Sequence, residues 1–406
     1  MTHPVIAASV ATALLTGCSQ SPPAAHVSTA AAETPLRETP YPAAGGASVA
    51  PAAIASVAAE PDPVLGGVCA VVGAATGEIA VQATARIPLK LGLTLATAWH
   101  RTTEADDVEC LTQVREITAS SVVASASCAM RDGTVGGARR VCREDFDGAS
   151  IYDSGAGDAQ DTIKGTTMFS LSRAALRELK QRQETKHRNV SFYEGALVAD
   201  LRGTLVAQGQ GTFAAIVNDH LEELPVVRAE GRLKGTAMGK PIETRVRVAV
   251  LDDERFPLVL DYSMPDVGAT GFFVRYTRIS FPTERQIEQR LSDDRRVDVY
   301  GIYFDFASDR LRAESEPVLR EIADTLVRHP DWTVSIDGHT DNVGGERANQ
   351  QLSERRSAAV REVLVRRYAI DGTRLTARGY GASRPKDRND TLEGRARNRR
   401  VELVRQ

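Results

Sequence analysis

The chain has 406 residues, 42% of them apolar and 25% charged, and a formal net charge of −3. That length allows two or three domains, and the composition is that of an ordinary soluble globular chain. A charge so close to neutral argues against a nucleic-acid partner, which calls for a clearly basic face.

The chain begins MTHPVIAASVATALLTGC. Its apolar run is too short to span a bilayer as a mature helix and fits the core of a signal peptide. The ending Leu15, Thr16, Gly17, Cys18 resembles the cleavage site of bacterial lipoproteins. On that resemblance residues 1–17 are a signal peptide and Cys18 is the lipidation site, carrying diacylglycerol and an acyl chain of the palmitate type. One feature departs from the pattern, since no Lys or Arg precedes the apolar run. A plain secretory peptide with an incidental Cys18 is the competing reading. Ser19, rather than Asp, follows the cysteine, which by the same resemblance points to the outer membrane. Residues 18–63 are rich in Ala, Pro, Ser and Thr without a sustained apolar period, so they read as a disordered tether.

Residues 64–281 read as a mainly antiparallel β domain of no recognised family. Ile87, Leu89, Leu91, Leu93 and Leu95 alternate with other residues, and alternation recurs at 197–206, 244–250, 258–262 and 272–279. One helix interrupts the strands, with Ser172 as N-cap and Ala175, Leu176 and Leu179 as its buried stripe. Cys69, Cys110, Cys128 and Cys142 are an even set in a chain expected to be exported, so they read as two disulfides. Three pairings are open; neighbouring candidate strands favour Cys110 with Cys128, leaving Cys69 with Cys142. No pair of these cysteines has zinc-ligand spacing. Aromatic residues make up 5% of the chain, too few for the girdles of a transmembrane barrel. His100, His187 and His220 are scattered and form no catalytic or metal constellation, so neither a metal nor a cofactor is expected.

Residues 282–295 form a helical connector with Ile287 and Leu291 four apart. Residues 296–406 then alternate strand and helix: a strand at 297–306, a helix with Ser315 as N-cap and Pro330 as its stop, and a strand at 332–337. A helix at 346–368 follows, with Leu352, Ala359, Val363 and Leu364 inward and Gly372 beyond its end, then strands at 375–378 and 400–404 joined by a polar segment. This predicts an α/β sandwich with helices on one face of a mixed sheet, and an α+β chain as a whole.

Within that last part, Asp341 sits in a polar, Gly-punctuated loop, while Asn349, Leu352 and Arg356 share one helical stripe. Helical side chains tilt toward the N-terminus, so Arg356 points back toward the Asp341 loop. A carboxylate holds an ammonium and a guanidinium grips a carboxylate, so an acid and a base in one pocket suit a zwitterionic amino-acid head group.

These residues resemble the OmpA-like peptidoglycan-binding family, whose pattern runs TDxxG, NxxLSxxR, GxG and NRRVE. The chain has Thr340, Asp341 and Gly344; Asn349, Leu352, Ser353 and Arg356; Gly379 and Gly381; and Asn398 through Glu402. A strand with the family's look, VYGIYFDFAS, precedes them. The resemblance implies that Asp341 and Arg356 hold the free end of diaminopimelate in the peptidoglycan stem peptide. Thr340, Asn349, Leu352, Arg399 and Asp305 would support them. It further implies a nonenzymatic, periplasm-facing lipoprotein that ties the outer membrane to the wall. The alternative is a wall-positioned subunit or sensor whose β domain binds an envelope protein partner or lipid.

Overall fold

The computed structural model describes residues 64–65, 69, 86–100, 107–130, 133–153, 163–193, 196–266, 272–283 and 285–406. The expected signal peptide, Cys18 and the tether lie outside these residues.

In chain order the strands of the first part are β1 (Val64–Leu65), β2 (Thr94–His100), β3 (Asp107–Ile117), β4 (Ser121–Met130), β5 (Gly133–Cys142), β6 (Ile151–Asp153), β7 (Ile163–Lys164) and β8 (Thr166–Thr167). They continue with β9 (Glu184–Tyr193), β10 (Ala196–Val217), β11 (His220–Ala237), β12 (Lys240–Leu251), β13 (Val259–Met264) and β14 (Phe272–Ser280). Helices α1 (Asp145–Gly148) and α2 (Arg173–Gln181) interrupt them. A twelve-stranded sheet has the order β5-β4-β3-β2-β14-β13-β12-β11-β10-β9-β6-β8, and β1 pairs with β7 apart from it. Its pairing is antiparallel except around β6 and where Ile216 and Val217 run parallel to Arg278 and Ile279. Through that last contact β10 to β14 close on themselves.

Closure explains why the end of β12, Val248 to Leu251, is apolar at every position. In β12, Val248 and Val250 enter one core with Leu176 and Leu179 of α2, whereas Ala249 and Leu251 enter another with Phe213, Phe256 and Ile279. A strand buried on both faces has no polar side to show. Helix α2 covers one face as its stripe requires, and the Ser172 hydroxyl accepts from the Ala175 N–H at 3.2 Å. Two disulfides are present, Cys110–Cys128 across directly paired residues of β3 and β4, and Cys69–Cys142.

Several expected elements differ. The alternating stretch from Ile87 becomes a strand only at Thr94. Pro88 has no N–H to give a ladder, and Gly92 turns the chain at φ +82°, so Ile87 and Leu89 are buried outside any strand, and pairing begins only where the Leu93 carbonyl accepts from the Val114 N–H at 2.9 Å. The charged residues after α2 are themselves a strand, β9, because their partner β10 and not their polarity decides the matter.

The C-terminal part consists of α3 (Gln286–Asp293), β15 (Arg296–Val299), α4 (Glu316–Arg328), β16 (Val334–Gly338), α5 (Glu346–Arg366), β17 (Leu375–Gly379), α6 (Leu392–Asn398) and β18 (Val401–Arg405). Its sheet has the order β15-β18-β16-β17, parallel between β16 and β17 and antiparallel elsewhere. Val334, Ile336, Val401 and Leu403 of the sheet pack with Leu319 and Ile322 of α4, Val360 and Leu364 of α5, and Ile287 and Leu291 of α3. This is the mixed sheet with helices on one face that the alternation predicts.

The first strand stops at Val299, short of Phe306, because the chain leaves the sheet there; Phe304 makes only an isolated bridge to Leu311. Ser315 stands at the N-cap position of α4, as expected, but its side chain makes no cap hydrogen bond. Its hydroxyl donates to the Tyr303 carbonyl at 3.1 Å and accepts from the Tyr303 N–H at 2.8 Å, and a 3-10 turn leads into the helix instead. After α5 the left-handed residue is Ala369 at φ +56°, while Gly372 opens a 3-10 turn. Within the segment expected to be polar loop, α6 forms on a cap in which Thr391 accepts from the Gly394 N–H.

The two sheets are joined by polar contacts. Arg312 donates to the Ser127 carbonyl at 2.9 Å, Ser127 donates to Glu314 at 2.6 Å, and Gln113 donates to the Glu314 carbonyl at 3.1 Å. On another side the tip of the β10–β11 hairpin docks, Asp219 accepting from the Tyr300 N–H at 3.0 Å.

Candidate functional site

Parallel strands β16 and β17 end side by side at Gly338 and Gly379, and α5 crosses their ends at close range. A Cβ on Gly338 would stand 2.5 Å from the Ser353 carbonyl oxygen, and one on Gly379 would stand 2.3 Å from the Glu354 nitrogen. Close approach also governs the helix. Its buried face is led by Asn349, Ser353 and Ser357, followed by Val360 and Leu364, while the expected Leu352, Ala359 and Val363 are only half-buried. Small polar residues let the helix backbone come down, and their hydroxyls find partners: Ser353 accepts from the Gly381 N–H and donates to the Gln350 carbonyl, both at 2.8 Å.

The loop carrying Asp341 is held from three directions. Thr340 N–H donates to the Gly381 carbonyl at 2.9 Å, joining it to the end of β17. Asn349 Nδ2 donates to the carbonyls of Asp341 and Val343 at 3.3 and 3.0 Å, joining it to α5. Asp341 Oδ1 accepts from the Val343 N–H at 3.0 Å, the local turn that an aspartate favours. Gly344, at φ +92°, then reverses the chain into the helix.

A cavity of about 680 Å³ opens beside this loop, lined among others by Asp305, Thr340, Asp341, Asn349, Leu352, Arg356 and Arg399. All seven residues expected from the sequence thus border one space. Their internal pairing is less simple than the helical stripe suggests. Asp341 Oδ2 receives Arg399 Nη1 at 2.7 Å, whereas Arg356 Nε donates to the Ser308 carbonyl at 2.9 Å. The Arg356 guanidinium lies 4.8 Å from the centre of the Phe304 ring, a cation–π contact. No carboxylate among the described residues is within ion-pair distance of it. Burial pushes its pKa down to about 10, with Glu109 and Asp341 pulling the other way, so it stays a cation at neutral pH. Asp305 pairs with Arg310 at 3.5 Å.

His339 stands between Asp337 and Asp341 in sequence but forms no metal cluster with them. It is buried at 3% exposure, stacks on Tyr380 at 5.4 Å between ring centres, and lies 3.5 Å from Glu402. Among the described residues no group of three metal-ligating side chains occurs. Lys386 is tied to Asp298 at 3.1 Å.

Two residues of the cavity wall were not legible in the motifs. Glu109 of β3 and Arg278 of β14 both come from the large sheet, 169 positions apart in sequence, and pair with each other. The local signal is slight, since the strand FFVRYTRIS carries two cations, Arg275 and Arg278. Burial raises the Glu109 pKa, but the guanidiniums of Arg278, Arg399 and Arg312 outweigh it and hold the carboxyl below its ordinary range.

Residues 303–399 match the OmpA family, and the C-terminal part of the chain is a domain of that family. The chain is 46% identical over 101 residues to outer membrane porin F of Pseudomonas aeruginosa, a match covering 25% of this chain and 29% of that one. It is 34% identical over 104 residues to the probable lipoprotein YiaD of Escherichia coli, covering 26% of this chain and 47% of that one. Among solved structures, the peptidoglycan-associated lipoprotein from Burkholderia pseudomallei is 30% identical, with 26% of this chain and 88% of that chain covered at a TM-score of 0.25. The chain therefore spans less than half the length of these two curated relatives.

Proposed function

We propose that this chain is an outer-membrane lipoprotein that binds peptidoglycan noncovalently through the diaminopimelate of the stem peptide. In this reading acylated Cys18 holds the membrane, residues 18–63 are the tether, the part from 64 to 281 is a periplasmic β domain, and residues 296–406 hold the wall. The observation that carries it is the pairing of opposite charges around one cavity, with a guanidinium, Arg356, that has no carboxylate within ion-pair distance among the described residues. A ligand carboxylate fits that vacancy, and Asp341 offers the complementary charge to an adjacent ammonium. The match of residues 303–399 to the OmpA family supports peptidoglycan as the partner.

The test is sedimentation of the full chain with insoluble peptidoglycan of the diaminopimelate type. Removing one member of a desolvated charge pair costs about 2 to 5 kcal/mol of binding free energy, so Asp341→Ala and Arg356→Ala should each lose the pellet. Arg388→Ala, whose side chain is 82% exposed, should pellet like the wild type. Lysine-type peptidoglycan lacks the second carboxylate and should bind poorly. A folded Asp341→Ala protein that still pellets with the diaminopimelate-type wall would sink the assignment.

A further inference from the structure

Glu109 and Arg278 bring the large sheet into the cavity that the C-terminal loop and helix form. Arg278, at 3% exposure, reaches in two directions: one nitrogen donates to Glu109 Oε1 and another to the Arg399 carbonyl at 3.3 Å. Its guanidinium also covers the Tyr303 ring at 5.2 Å. Arg399 is thereby fixed between two carboxylates, Nη1 at 2.7 Å from Asp341 and Nη2 at 3.8 Å from Glu109.

This arrangement bears on what Asp341 can offer a ligand. A guanidinium given wholly to Asp341, through both of its outer nitrogens, would neutralise that carboxylate and leave nothing to attract an ammonium. Instead Arg399 meets Asp341 through one nitrogen while its other outer nitrogen is turned toward Glu109. Glu109 can play this part because it is an anion held in place by Arg278.

We propose that Glu109 is a positioning residue of the pocket: it draws Arg399 away from full pairing with Asp341, so that Asp341 remains able to take the ammonium of a zwitterionic head group. The proposal rests on the diaminopimelate reading and extends it. The large sheet then sets the selectivity of the site, favouring stem-peptide ends that carry an ammonium beside the carboxylate over plain carboxylates. Arg278 acts one step further back, by holding both Glu109 and the Arg399 backbone.

The experiment uses the full chain bound to diaminopimelate-type peptidoglycan and measures release by two competitors, meso-diaminopimelate and pimelate, the same dicarboxylate without its amines. Wild-type protein should be released by meso-diaminopimelate at about tenfold lower concentration than by pimelate, and Glu109→Gln should bring the two within about twofold. A merely structural role for Glu109 would weaken both competitors alike and leave their ratio unchanged, and that result overturns the proposal. Should Glu109→Gln fail to fold, Glu109→Asp keeps the charge but withdraws it by one methylene. Its ratio should fall between the other two, and an unchanged ratio again overturns the proposal. Asp341→Ala and Arg356→Ala, run alongside, separate the two levels: if either folded variant pellets like the wild type, the diaminopimelate reading has failed and the role of Glu109 with it. Loss of pelleting in those two variants, together with an unchanged ratio in Glu109→Gln, removes only the role of Glu109.

Discussion

Gly338 is the residue on which the geometry of the pocket turns. It is the last residue of β16, and the loop bearing Asp341 starts directly after it. Because the Ser353 carbonyl occupies the space a Cβ would need, Gly338→Ala must push α5 off the sheet. Overpacking of this kind costs roughly 1 to 3 kcal/mol. Chemical denaturation of Gly338→Ala should show that loss, and its pelleting with peptidoglycan should fall as well, since Asn349 and Arg356 move with the helix. Wild-type stability would show that the close approach of helix and strand is dispensable. Asn349 is a second instance of one side chain with two duties, lining the cavity and fastening the Asp341 loop through two carbonyls.

At the scale of elements, the β10–β11 hairpin does more than extend the large sheet. Its tip, Asn218 and Asp219, has both residues at positive φ, 42° and 71°, as a two-residue hairpin turn requires. Asn218 Oδ1 accepts from the Phe281 N–H at 2.8 Å, and Asp219 from the Tyr300 N–H, so the tip grips the chain on both sides of α3. Burial raises the Asp219 pKa to about 7; Asp298 and Glu321 push it further up, and the Tyr300 N–H and Arg290 oppose them. A carboxyl whose pKa is raised on folding binds its proton more tightly in the folded state. Its stabilising effect is complete below about pH 4 and is lost as pH rises through about 7. Asp219→Asn keeps the acceptor for Tyr300 and suits the positive φ, so it should remove this dependence. The difference in unfolding free energy between Asp219→Asn and wild type should grow from near zero at pH 4 to about 1 to 3 kcal/mol at pH 8. Parallel pH profiles of the two proteins would show that Asp219 does not titrate in this window.

For the molecule as a whole, the proposed wall-binding pocket is lined from both sheets, so on that reading attachment to peptidoglycan would depend on the large sheet through Glu109 and Arg278. The other attachment is the proposed lipid on Cys18. Each buried methylene of an acyl chain contributes about 0.8 kcal/mol, so two or three chains make a stable anchor. Among the described residues no helix is long and apolar enough to cross a membrane. If that lipid is the anchor, Cys18→Ala should move the protein to the soluble envelope fraction or leave it unprocessed, as read by membrane fractionation. Firm membrane association of a processed Cys18→Ala protein would refute the lipid anchor.

Features that depend on neighbours along the chain were legible in the sequence. The Asp341 loop, the stripe of Asn349, Leu352 and Arg356, and the Ser172 cap are read from spacing alone, because helix periodicity and turn chemistry act over a few residues. The alternation of strand and helix from residue 296 on likewise sufficed for the mixed sheet with helices on one face. Cys110 with Cys128 was readable to the extent that neighbouring strands pair; sequence spacing alone left the other pairings open. Tertiary structure alone decided that β10 closes on β14, that the polar residues of β9 form a strand, and that Ser315 serves Tyr303 instead of α4. It alone placed Arg399 on Asp341 and turned Arg356 to Ser308. Above all it brought Glu109 and Arg278 to the pocket, since an ion pair between strands 169 positions apart leaves no periodic trace in either strand. Which partner a buried charge meets is fixed by how the sheets curl and dock, and that is a property of the packed chain.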